Sequence, residues 1–246
     1  MSMPFYVSPE QLMADRADFA RKGIAKGRSV IVAQYADGIA FVAENHSRAL
    51  HKISEIYDRI GFAAVGKYNE FESLRIAGIR YADMRGYTYD RSDVNGRGLA
   101  NAYSQTLAEA FTNNSKPHEV ELVVAEVGDD ESQDLLYRIS FDGSVAEETD
   151  FVVMGGLVQD MRAEMKGLWE PQLTLAQVLD RMISVLSSAA YRRSLDPNTE
   201  AGSEHGAPDI PRLGAHQLEA AVLDRNRPRR TFRRLDAVHI EQILGE

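Results

Sequence analysis

The chain has 246 residues, 44% of them apolar and 26% charged, a balance that fits one large globular domain with a sizeable core. Its 28 lysines and arginines against 37 acids give a net charge of −9, the wrong sign for a general nucleic-acid binder, which needs a basic field to displace counterions. Having no cysteine, it can build no disulfide framework, thiolate metal site or cysteine nucleophile. The opening MSMPFYVSPEQ lacks a basic stretch followed by an apolar run, and no segment approaches the roughly 18 apolar residues of a membrane span. A cytoplasmic protein is expected, with neither membrane nor nucleic acid among its partners.

Helical signals begin at Ser8. Ser8 can cap, Pro9 suits the first helical position, and Gln11 completes a capping box. The predicted helix runs to about Lys26, with Leu12, Met13, Phe19, Ala20 and Ile24 on one face and basic residues in its last turns. Beyond Gly27, the β-prone segments Ser29–Tyr35 and Ile39–Ala43 flank Ala36-Asp37-Gly38 and predict a hairpin. Another strand is predicted over Ile60–Val65. Two helices follow. One runs from Tyr68 toward Met84 and buries Phe71, Leu74, Ile79 and Ala82. The next, capped by Ser92 or Asp93, aligns Leu99, Ala102, Tyr103, Thr106, Leu107, Ala110 and Phe111 in one stripe.

Strands are predicted again at Glu119–Val127, Leu135–Ser140 and Phe151–Met154, with a turn at Asp142-Gly143. Helices follow from Leu157 to about Leu168 and from Leu173 to about Ala190, the second with Leu175, Val178, Leu179, Met182, Val185 and Leu186 at helical spacing. Leu195–Gly214 is rich in Pro, Gly and acidic residues and reads as a mobile surface loop. A hairpin of Gln217–Leu223 and Thr231–Leu235 around Asn226–Pro228, then a short helix over Ala237–Leu244, end the chain. Strands and helices come in groups rather than in alternation. Grouping points to an α+β fold of antiparallel sheets with helices packed outside.

Six segments, taken in order and at their spacing, carry a resemblance: SPEQLMADRADFARKGIAKGRSVIV, FVAEN with LHKISEIYDRIGFAAVGKYNEFE, RGYTYDRSDVNGRGLANAYSQTL, PHEVELVVAEVG, FVVMGG and LEAAVLDRNRPRRTFRRL. Over nearly the whole chain they resemble the α subunits of actinobacterial-type 20S proteasomes. The resemblance implies the Ntn-hydrolase fold, a four-layer αββα sandwich of two antiparallel sheets, in agreement with the element order. It implies a single α-type domain over residues 8–246, preceded by a short segment over residues 1–7.

The related β subunits are threonine peptidases, whose nucleophile is the mature N-terminal Thr and whose base is its own amine. The corresponding junction here reads Gly27-Arg28-Ser29, so Arg28 stands where the threonine would be, and a guanidinium that stays protonated is no nucleophile. No Gly-Thr dipeptide occurs, and the pairs Gly143-Ser144 and Gly202-Ser203 lie too late to leave a folded domain after cleavage. Glu44 and Lys52 fall near the positions of the β-subunit acid and lysine. No catalytic residue is expected. The alternatives are an Ntn amidohydrolase cut at an unrecognised site and a binding scaffold that borrows the fold.

The resemblance further implies a homo-heptameric α ring at each end of a β7β7 core. Met1, Ser2, Met3, Pro4, Phe5, Tyr6 and Val7 would gate its axial pore. Activator C-termini would enter pockets between adjacent α subunits, with Lys52 of His51-Lys52-Ile53 pairing the terminal carboxylate. Asp18 and Gly27 match the pocket's other positions, Asp18 standing where Glu is common. The activators implied are a ring-shaped AAA ATPase that unfolds Pup-tagged proteins, and ATP-independent ones. No cofactor is expected, and six scattered histidines without HxxxH or HxH spacing argue against a metal. Gly96-Arg97-Gly98 matches neither phosphate-loop motif. Arg225, Arg227, Arg229, Arg230, Arg233 and Arg234 read as a solvated hairpin face able to pair with a neighbour's acids. Tyr87-Thr88-Tyr89 with Arg91 reads as a contact loop.

Overall fold

Ser8 accepts the Gln11 backbone N–H at 3.2 Å and Pro9 occupies the first turn, so the chain enters helix α1 (Pro9–Ala25) as its sequence predicts. The capping box is only half built, because the Gln11 side chain donates to Asp15 instead (2.7 Å). The predicted apolar face is also only half used. Ala20 and Ile24 are buried, whereas Leu12, Met13 and Phe19 stay exposed. In this computed structural model, which describes residues 8–195 and 210–244, only the C-terminal half of α1 packs on the core. The expected gate, Met1 to Val7, and residues 196–209 of the expected loop lie outside the described residues.

Among the described residues ten strands form two sheets, and every pairing is antiparallel. They are β1 (Val30–Tyr35), β2 (Gly38–Glu44), β3 (Ile53–Tyr57), β4 (Ile60–Gly66), β5 (Val120–Glu126), β6 (Leu135–Ile139), β7 (Val145–Glu148), β8 (Phe151–Met154), β9 (Leu218–Asp224) and β10 (Phe232–Leu235). The first sheet runs β10-β9-β2-β1-β8 and the second β3-β4-β5-β6-β7. Helices α2 (Tyr68–Thr88) and α3 (Gly96–Asn113) cover the second sheet. Helices α4 (Val158–Leu168), α5 (Leu175–Ser194) and α6 (Ala237–Leu244) cover the first.

Strand β1 shows why its apolar run is continuous. Val30 and Val32 enter the core between the sheets, while Ile31, Ala33 and Tyr35 face the layer under α5. A strand buried on both faces has no polar alternation to show. Three apolar layers result, one between the sheets and one beneath each helical layer, and the expected four-layer αββα sandwich is what the chain builds.

Several element boundaries are corrected. Helix α3 is capped by Asn95, whose Oδ1 accepts the Gly98 N–H at 2.8 Å, not by Ser92 or Asp93. Those two belong to a short 3-10 turn over Arg91–Asp93, because Asp90 captures the Ser92 N–H first. Helix α2 runs on to Thr88 and buries Phe71, Leu74, Gly78 and Ala82, while Ile79 is only partly buried. In α3, Thr106 is exposed and bonds back to the Ala102 carbonyl (3.0 Å). Helix α5 begins at Leu175 after a Thr174–Gln177 capping box and continues to Ser194. Strands β3 and β7 carry no sequence prediction; both are sheet edges rich in polar residues.

Candidate functional site

At one end of the sandwich, the ends of α1, β2, β4 and α5 meet the starts of β1 and β3. Between them lies a hollow of about 570 Å3 lined by Gly27, Arg28, Glu44, Lys52, Gly66, Arg193 and neighbouring residues. The local sequence explains the convergence. Helix α1 stops as Gly27 bonds the Ile24 carbonyl (2.9 Å), and the chain passes directly into β1. A Cβ on Gly27 would stand 3.3 Å from the Gly66 nitrogen, and Gly66 itself has φ +105° with the Glu119 carbonyl where a Cβ would be. Only glycine allows β4 to turn away there.

The register of β1 with β2 sets Arg28 beside Glu44. Arg28 Nε donates to Glu44 Oε1 at 3.1 Å, Arg193 from α5 donates to the other oxygen, and His46 Nε2 lies 3.4 Å away. The Glu44 carboxylate is only 7% exposed, whereas the Arg28 side chain is 49% exposed. Lys52 Nζ donates to the Arg28 carbonyl at 2.6 Å. Burial brings the Lys52 ammonium down to about 8. Arg28 and Arg193 push the same way, and Glu44 and Glu219 oppose them.

Glu219 on β9 is a residue the sequence reading missed. Its carboxylate accepts the backbone N–H groups of Lys52 (2.8 Å) and Ile53 (3.2 Å), Asn45 Nδ2 (2.8 Å) and Arg234 Nη1 (2.5 Å). It thereby pins residues 45–53 across the sandwich and fixes where Lys52 stands. Its signal was an acid inside the apolar run LEAAVL.

The structure thus brings Gly27 and Lys52 together with Arg28 and Glu44. Asp18 is not among the lining residues. It lies two and a half turns back on α1, exposed and paired with Arg21 at 3.1 Å. Chemically the hollow holds cations around one already neutralised carboxylate, so it suits an incoming anion. Neither residue at the start of β1 is an activated nucleophile: the Arg28 guanidinium stays protonated, and the adjacent Ser29 is buried with its hydroxyl donated to the Gly156 carbonyl (3.1 Å). Among the described residues no cluster of His, Asp or Glu could hold a metal, and no helix is long and apolar enough to cross a membrane.

The other candidates separate. Gly96-Arg97-Gly98 opens α3, where the Glu126 carboxylate accepts the Gly96 N–H (2.7 Å); a phosphate would meet that acid. Arg225 does not belong to a solvated hairpin face. It is buried against Asp134 (2.7 Å) and also donates to the Ala36 and Gly128 carbonyls. Tyr87 and Tyr89 project into solvent, and Arg91 grips Asp58 with both ends of its guanidinium while stacking on Tyr57.

Comparison with known proteins places this geometry. A family model described as "Proteasome subunit" matches residues 24–200. The "Proteasome subunit alpha" of Sanguibacter keddieii is 60% identical over 246 residues, covering 100% of this chain and 90% of that protein. Those of Kineococcus radiotolerans and Xylanimonas cellulosilytica are each 61% identical over 245 residues, with 99% and 97% of their own lengths covered. With that identity over the length of the chain, it belongs to the proteasome subunit family, among its non-catalytic alpha subunits.

Proposed function

We propose that this chain forms the outer rings of a proteasome core and that the hollow around Lys52 receives the C-terminal carboxylate of an activator. Seven copies make each ring, and two rings cap the β subunits as α7β7β7α7. A ring-shaped AAA ATPase, or an ATP-independent activator, docks on the outer face in the cytoplasm and feeds the chamber with substrates of the Pup pathway. Met1 to Val7 close the axial pore until docking opens it.

The observation that carries the reading is Lys52. Its ammonium spends one of three donors on the Arg28 carbonyl and faces a hollow whose single acid is already bound by Arg28 and Arg193. A terminal carboxylate supplies the missing acceptor as a charge-assisted hydrogen bond. Gly27 keeps the wall beside it open, and the exposed Asp18 joins at the boundary between copies. In particles reconstituted with β subunits, Lys52→Ala should leave ring assembly intact and sharply reduce ATPase-dependent degradation. Unchanged degradation overturns the docking role. For the gate, removing residues 1–7 should speed peptide hydrolysis without activator; equal rates at equal assembly overturn it.

A further inference from the structure

The Lys52 hollow carries more positive charge than one carboxylate can use. Lys26, Arg28, Lys52 and Arg193 line it, and Glu44 is the sole acid among its lining residues. Glu219, close behind Lys52, is taken up by Arg234, Asn45 and two backbone N–H groups. The cationic donors are far from exhausted. Arg28 bonds Glu44 through Nε alone, at 3.1 Å, and its side chain is half exposed. Arg193 gives Nη2 to Glu44 and Nε to the Ala189 carbonyl (3.4 Å). Lys52 spends one of its three donors. Among the described residues the exposed Lys26 ammonium has neither an ion pair nor a hydrogen bond.

Part of this surplus has a structural use. Helices α1 and α5 both end at the hollow. Each C-terminus carries about half a negative charge, so together they offset roughly one of the three excess cations. Asp18 of a neighbouring copy, which the docking reading brings to the rim, arrives already paired with Arg21 and takes none of it. About two charges are left, and a docked tail carboxylate supplies one. The cations are crowded as well: Arg28 and Arg193 add to burial in bringing the Lys52 ammonium down to about 8, so an anion that offsets them is favoured. The space is ample, since about 570 Å3 lies in the range of small-molecule pockets. A phosphate group meets these demands better than a carboxylate. It brings about 1.5–2 negative charges and three strong acceptors in one unit, and both the guanidinium fork and the ammonium bind it well.

We infer that the Lys52 hollow is also a binding site for a free phosphate-class polyanion, held by Lys52, Lys26 and the outer nitrogens of Arg28. Such an anion occupies the place that the docking reading gives to the activator's terminal carboxylate, and so acts as a competitive brake on activation. The brake rests on the docking reading; the anion site rests on the hollow's own charge and donors.

Calorimetric titration of sodium tripolyphosphate into particles reconstituted with β subunits, at fixed ionic strength, reads the site directly. Saturable binding with one anion per α chain is expected. Arg28→Gln should weaken it about tenfold, because a charge-assisted contact is lost while Lys52 stays in place. Lys26→Gln, on an exposed side chain with no partner to strand, should weaken it severalfold and covers the case of an Arg28 variant that folds poorly. ATP in the same titration separates the two sources of a phosphate chain. Comparable affinity for ATP and tripolyphosphate supports recognition of the chain itself; ATP binding without tripolyphosphate binding overturns it. Absence of saturable binding, or binding that neither substitution moves, overturns the inference and leaves the docking reading untouched. The brake is read with an ATP-independent activator. Saturating tripolyphosphate should raise the activator concentration for half-maximal peptide hydrolysis about tenfold and leave unstimulated hydrolysis unchanged. Binding through Arg28 and Lys26 without that shift overturns the brake and the docking reading together, while the anion site stands.

Discussion

The two ends of the sandwich solve one electrostatic problem differently. At the end beneath Asp37, the Asp134 carboxylate is fully buried and its partner Arg225 is 12% exposed, with every end of the guanidinium bound to Asp134, Ala36 or Gly128. At the other end, the Glu44 carboxylate is nearly as deep, but its partners Arg28 and Arg193 reach it from solvent, and Lys52 stands beside them half-buried and only partly bonded. The first arrangement is closed and can only hold the chain together. The second leaves cationic capacity facing outward, at a cost to the folded state that a structural role alone does not explain. A buried ion pair is thus no mark of function by itself; what distinguishes the Lys52 end is that its cations are not used up.

The largest test of this contrast is stability. Arg225→Ala strands Asp134 in the interior and should cost about 3–5 kcal/mol in urea denaturation. Arg28→Ala removes a half-exposed partner while Arg193 still binds Glu44, and should cost under about 1 kcal/mol. Comparable losses would erase the distinction between the two ends. Next in size is Glu219→Ala, which frees two backbone N–H groups, Asn45 and Arg234 at once. We expect about 2–4 kcal/mol of destabilisation together with weakened activator response, because residues 45–53 lose their anchor. A stable variant with normal response would show that Lys52 is positioned by something else.

Titration sharpens the comparison further. Lys52 is brought down to about 8 from an ordinary value of 10.5, so its folded-state cost is full below about 8 and fades as pH rises toward the unfolded value. Docking has the opposite dependence, since the carboxylate needs the charged ammonium. Activator affinity should fall roughly tenfold between pH 7 and pH 9 as that charge is lost. Lys52→Arg, which stays charged across this range, should bind with little change over the same interval. A pH profile shared by wild type and Lys52→Arg would remove Lys52 from the docking chemistry.

How far the sequence disclosed these features follows from how each is encoded. The β1–β2 hairpin and the five longer helices were legible because apolar spacing and turn residues agree there. Strands β3 and β7 were not, because these short edge strands carry residues such as Ser54, Glu55, Glu147 and Glu148 in place of a clean apolar alternation. Lys52 and Gly27 were found through resemblance, and the fold brings them together. Glu219 was passed over because a charge inside an apolar strand signals a buried partner without saying which one. Leu12, Met13 and Phe19 fit a helical face in sequence, yet this chain alone leaves them in solvent; periodicity records that a face is apolar, not what covers it.

Asp18 offers the smallest effect and the most selective one. Its carboxylate is exposed and, among the described residues, bound to Arg21 one helical turn away, and surface pairs of this kind contribute little. Asp18→Ala should therefore leave the urea midpoint of the isolated chain within about 0.5 kcal/mol of wild type. In the assembled ring the same change should reduce activator-stimulated peptide hydrolysis severalfold if, as proposed, the exposed face of α1 meets a neighbouring copy's hollow only there. Asp18→Glu keeps the charge and lengthens the reach by one methylene, so it should match or exceed wild type. If Asp18→Ala alters the isolated chain as much as the ring, the residue belongs to the helix and not to the docking site. If it alters neither, the site consists of Lys52 and Gly27 without it.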